Sequence, residues 1–99
     1  MNYVYTAIFN PDTTNKNLLN ITFPDLPKCY TCGDSLIDAI EMAEDILCLH
    51  LYDMEESGTP IPPATPPHNI KTQGSDFISS IVIDTDDYRM FYANQPLAN

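Results

Sequence analysis

Apolar and polar positions alternate at the start of the chain. In YVYTAIF, residues 3–9, Tyr3, Tyr5, Ala7 and Phe9 fall on one face of an extended segment, and Val4, Thr6 and Ile8 on the other. The cluster NPDTTNKN follows, and its Asn, Asp and Pro residues favour local side-chain bonds over continued pairing. Alternation resumes in LLNITF, residues 18–23, with Leu19, Ile21 and Phe23 directed inward and Asn20 and Thr22 outward. Two such runs around a polar turn predict an antiparallel hairpin. Pro24 and Pro27 then end the pairing, because neither can donate to a ladder. The remaining CYTC, residues 29–32, leaves room for a short third strand.

At Ser35 the period changes. Ser35 suits an N-cap, with Asp38 completing a weak capping box. From Leu36 to about Glu56, Leu36, Ala39, Ile40, Ala43, Leu47, Leu51 and Met54 fall within an arc of roughly 120° at the helical repeat. Asp38, Glu41, Asp45, Tyr52 and Glu56 cluster opposite, and Gly58 follows as a stop. Residues 59–68, TPIPPATPPH, hold five of the nine prolines and predict an extended connector. The closing run FISSIVID, residues 77–84, is apolar on both faces, with Phe77, Ile81 and Ile83 on one and Ile78 and Val82 on the other. Such a strand is expected in the middle of a sheet, or covered on its second face by another chain. A short helical turn and a loose tail are expected after it. The order βββαβ predicts an α+β domain, an antiparallel sheet with one long helix packed on one face.

Composition narrows the function. Ninety-nine residues suit one small core. Fourteen Asp and Glu stand against four Lys and Arg, a formal net charge of -10. Phosphate backbones are repelled by such a chain, whereas a basic protein is attracted and steered to it. No basic, apolar leader opens the sequence, and no run approaches the ~20 apolar residues of a membrane span. Three cysteines are too few for a disulfide scaffold, and they point to reduced thiols in the cytoplasm.

Cys29-x-x-Cys32 has the spacing of half a zinc site, but no second pair follows, and residues three apart on a strand face opposite ways. Packing side chains are the better reading. The acids suggest a second chemistry, a two-metal nuclease of the RNase H type, with Asp84 ending a strand and Glu41 or Glu44 on the helix. The first strand contributes no acid to it. His50 on the edge of the apolar arc is expected to be partly buried, and His68 in the proline connector exposed. The sequence points to no catalytic, metal or cofactor site.

YTAIF at 5–9, FPDLPKCYTCGDS at 23–35, the helix LIDAIEMAEDIL, PIPP at 60–63 and IVIDTDDY at 81–88 together resemble the N-terminal domain of HicB-type antitoxins. The first hairpin loop departs from that pattern by lacking a glycine, and Lys28 stands where a glycine usually follows PDLP. The resemblance implies a degenerate RNase H-like fold without nuclease activity. It also implies a protein that binds and neutralises a small basic mRNA-cleaving toxin, HicA, itself similar in fold to a double-stranded-RNA-binding domain. The antitoxin domain is expected over 1–88. Most relatives carry a C-terminal DNA-binding module; here residues 89–99 are expected to form only a short tail, with that module absent or truncated. Occlusion of the toxin by carboxylates is the expected mechanism. The candidate contacts are the helix stripe Asp38, Glu41, Asp45 and Tyr52, the turn at Asp25, and the acidic end Asp84, Asp86 and Asp87. A homo-oligomer, with a second copy on the last strand, is a further expectation.

Overall fold

The computed structural model describes residues 1–15 and 17–88. Strands β1 (Asn2–Pro11), β2 (Leu19–Thr22) and β3 (Tyr30–Gly33) precede helix α1 (Leu36–Ser57), and β4 (Phe77–Asp84) follows it. The strands form one antiparallel sheet in the order β3-β2-β1-β4. α1 lies across one face. This is the α+β arrangement that the alternation predicts.

The turn between β1 and β2 is built on one carboxylate. Asp12 accepts from the Thr14 N–H at 3.1 Å, the Thr14 hydroxyl at 2.7 Å, the Asn15 N–H at 3.1 Å and the Asn20 amide at 3.2 Å. These donors, the Thr14 hydroxyl foremost, hold the Asp12 carboxyl down at about 2, against an ordinary 3.8. A folded-state pKa below the unfolded one means a contribution that is complete above about pH 3.8 and lost as pH falls through 2. The carboxyl carbon of Asp12 should therefore titrate by NMR with a midpoint near 2, in step with loss of the turn's amide protection. A midpoint at the ordinary value would contradict this account.

The core lies between sheet and helix. Tyr5, Ala7 and Phe9 of β1, Leu19 and Ile21 of β2, and Ile81 and Ile83 of β4 meet Ala39, Ala43, Leu47 and Leu51 of α1. Full burial of a leucine such as Leu47 or Leu51 contributes about 1.5–3 kcal/mol. The two alanines let the helix approach the sheet closely. Gly33, at the end of β3, permits the tightest approach: a Cβ there would lie 2.5 Å from the backbone N and Cα of Ala39.

Ser35 and Gly58 cap the two helix ends as the sequence predicts, but Asp38 holds the Asp34 N–H rather than that of Ser35, so the expected capping box is displaced by one residue. The Ser35 side chain accepts from the Asp38 N–H at 3.1 Å, and the Asp38 carboxylate accepts from the Asp34 N–H at 2.9 Å. Gly58 takes the left-handed conformation, φ 71°, which places the Thr59 N–H 2.9 Å from the Met54 carbonyl. Near that end Glu55 accepts from the hydroxyls of Tyr3, at 2.6 Å, and Thr85, at 2.9 Å, tying α1 to β1 and to the residue after β4. Burial first, and Glu55 second, push the Tyr3 phenol up to about 12.

Four further expectations need correction. β4 is an edge strand, because β1 occupies the position between it and β2. Its outer face carries Ile78 and Val82 without lying in the middle of the sheet. Leu36 is 53% exposed, since the first turn of α1 projects past the core. Cys32 is exposed, so only Cys29 of the pair serves as core packing. The proline connector is extended but contains one 3-10 turn, Pro67–Asn69. It is also pinned: the Tyr5 hydroxyl donates to the Pro62 carbonyl, and the Asp25 carboxylate accepts from Thr65. Residues 85–88 are helical, as expected, and the tail predicted over 89–99 lies outside the described residues.

Candidate functional site

Two of the eight candidate residues serve the fold first. Asp25 sits in the turn between β2 and β3, half-buried, and accepts from the Thr65 N–H at 2.8 Å and its hydroxyl at 2.6 Å. It clamps the connector to the turn. Asp38 serves the helix start, its N–H donating to the Ser35 hydroxyl and its carboxylate accepting from the Asp34 N–H. Neither carboxylate is a free surface charge.

The other six lie on α1 (Glu41, Asp45 and Tyr52) and at or just after the end of β4 (Asp84, Asp86 and Asp87). Glu41 and Asp45 are exposed on α1, with Glu44 beside them, and Tyr52 follows half-buried two turns after Asp45. The Tyr52 ring lies 4.8 Å from that of Tyr88, so the helix stripe continues into the segment after β4. Cys48 marks the junction. Its thiol donates to the Asp84 carbonyl at 3.6 Å. Burial, the largest cause, and then the negative fields of Asp87, Asp84 and Asp45 push that thiol upward, while a backbone hydrogen bond at Tyr88 opposes them. Carboxylates from α1 and from the end of β4 thus act on one half-buried thiol.

Asp84 is held below the ordinary carboxylate range, chiefly by the Asp86 N–H at 2.9 Å and then by the N-terminal ammonium at 3.0 Å. Asp86 is 3.3 Å from the same ammonium, and Asp87 is exposed. Among the described residues, no basic side chain forms an ion pair with Glu41, Glu44, Asp45 or Asp87. Exposed Ile37, Met42 and Leu49 add apolar area on α1 among these acids. An apolar surface set within uncompensated carboxylates suits a basic protein partner.

Cys29 is buried against the Ile46 carbonyl, 3.8 Å away, and its thiol is pushed up to about 11 by burial. Cys32 faces the opposite side of the short strand, and no three His, Cys, Asp or Glu residues converge to hold a metal ion among the described residues. No described helix is long and apolar enough to cross a membrane. His50 is half-buried and His68 exposed, as expected. Sequence reasoning weighed Glu44 as a nuclease acid and Cys48 as a zinc ligand, but placed neither on this surface. Glu44 carries the same acidic signal as Glu41, whereas Cys48 carries none, because its importance lies in what packs around it.

A family model described as HicB_like antitoxin of bacterial toxin-antitoxin system matches residues 5–90. A toxin-antitoxin complex from Streptococcus pneumoniae contains a chain of similar fold, with a TM-score of 0.80 at 20% identity, over 100% of this chain and 79% of that one. A HicA3 and HicB3 toxin-antitoxin complex gives 0.67 at 20% identity, over 83% of this chain and 99% of that one. The N-terminal domain of Burkholderia pseudomallei antitoxin HicB gives 0.65 at 16% identity, over 83% and 99%. No curated protein sequence matches the chain.

Proposed function

The chain belongs to the HicB-like antitoxin family, and on that premise we propose that it neutralises a small basic RNA-cleaving toxin of the HicA kind by covering the toxin's RNA-binding and catalytic surface. The observation that carries this reading is the joining of the acidic stripe of α1 to the acidic end of β4, through the Tyr52–Tyr88 ring contact at 4.8 Å and the Cys48 thiol on the Asp84 carbonyl at 3.6 Å. A ribonuclease must present cationic groups to hold phosphates, and carboxylates on a rigid scaffold can occupy those positions without being cleaved. The chain breaks no bond itself; it acts in the cytoplasm by contact. Long-range attraction brings the partners together, and the exposed apolar residues of α1 and the two tyrosines hold them at short range.

The test is cleavage of a fluorogenic RNA by the basic product of a neighbouring short reading frame, titrated with this chain. Cleavage should fall to background at a fixed molar ratio, and the complex should weaken as salt rises. Full cleavage by a toxin saturated with this chain would overturn the reading, as would cleavage by this chain alone.

A further inference from the structure

β4 leaves one long side of the sheet open. Among the described residues no strand lies beyond it, and none of its backbone groups bonds outward to another element. Edges of this kind are usually blunted by a charge, a proline, a bulge or a very short strand. From Phe77 to Ile83 the segment FISSIVI has none of these protections, and its composition is that of an aggregation-prone strand. The opposite edge, β3, spans only four residues.

The seven residues are also close to symmetric in character about Ser80. When two copies of a strand pair antiparallel about a two-fold axis, opposed residues must share a face, so their numbers sum to an even value. With Ser80 on the axis, Phe77 meets Ile83, Ile78 meets Val82 and Ser79 meets Ile81, and every pair is uncharged. Moving the axis to Ser79 sets Asp76 against Val82. Moving it to Ile81 sets Asp84 against Ile78. Of these three axes, only the one at Ser80 keeps each carboxylate off an apolar partner.

Charge favours the same place. A chain of net charge -10 repels its own copies, and this edge is an uncharged stretch of its surface. The inward face has room for the pairing: Phe77, stacked 5.1 Å from Phe9, remains 39% exposed. On the outward face Val82 is 61% exposed. We propose that two copies of this chain pair through β4 with Ser80 on the two-fold axis, joining their sheets into one of eight strands with both helices on the same side. Asp76 then faces Asp84 of the second copy at each end. Added salt screens that repulsion and tightens the dimer, opposite to its effect on a basic partner.

Sedimentation velocity on the full chain tests this with a pair of variants. Ser80 is exposed, so Ser80→Lys and Ser80→Glu keep the fold, as circular dichroism would check. The wild-type chain should sediment at twice 11.1 kDa, with more dimer at high salt than at low. Each variant alone sets like charges directly opposite and should sediment as a monomer, while their equimolar mixture should recover the dimer. A wild-type monomer at every concentration, a dimer that survives Ser80→Lys, or a mixture that stays monomeric would overturn the pairing. The first of these results, with strand addition seen only beside the toxin, would assign the edge to the toxin instead.

Discussion

Gly33→Ala should lower the unfolding free energy by about 3 kcal/mol, at the upper end of overpacking costs. The obstacle is backbone, since the added Cβ would lie 2.5 Å from the N and Cα of Ala39 and 3.0 Å from its Cβ. No rotamer change relieves that contact. Either β3 leaves its pairing with β2, or the first turn of α1 lifts from the sheet and Ala39 loses its buried position. Urea unfolding followed by circular dichroism would show a lower midpoint at unchanged slope. Gly58→Ala is the control: its site has φ +71° and nothing within 4 Å, so only about 1 kcal/mol of backbone strain is expected. Equal losses for the two variants would refute the close approach as the reason for Gly33.

Reversing Glu41 and Asp45 together to lysine should slow association with the basic partner by about tenfold or more at low ionic strength. Each reversal changes the charge by two, so the pair takes the chain from -10 to -6. Both side chains are exposed and neither caps the helix, so stability should change by less than ~0.5 kcal/mol. The defect should shrink as salt screens the field, leaving the dissociation rate as the measure of short-range contact. Stopped-flow traces with the same on-rate for the variant and the parent would remove this stripe from the interface. Asp38 and Asp25 are unsuited to this experiment, because their loss would also disturb the helix cap and the connector clamp.

The contrast between these acids explains what the sequence could reveal. Periodicity identifies elements that bury one face, and it located β1, β2 and α1 with their inward residues because a single register satisfies each. Strand order is different. A strand with apolar residues on both faces can be central or can sit at an edge, and among the described residues β4 is at an edge. Exposure of Leu36 depends on where the sheet stops beneath the helix, which no local pattern records. A carboxylate bonded to the backbone reads in sequence like a solvated one, so Asp25 and Asp38 stood beside Glu41 and Asp45 as equals. The convergence on Cys48 joins positions 36 residues apart and requires the fold. Gly33 was visible as a letter of the motif, but the helix that comes so close to it was not.

The pairing of β1 with β4 joins the most distant parts of the described chain, from Phe9↔Phe77 to Asn2↔Asp84. Hairpins and helix depend on local contacts and can assemble early, whereas this ladder must wait for the last strand. The acidic residues are divided in the same way, some on α1 and the others at the end of β4 and just after it. During synthesis, therefore, a ribosome-bound chain that has already built its helix still lacks Asp84 and Asp87. On the proposed reading, cover of a toxin waits until the ninth decade of residues, which holds Asp84 and Asp87, has left the exit tunnel and docked.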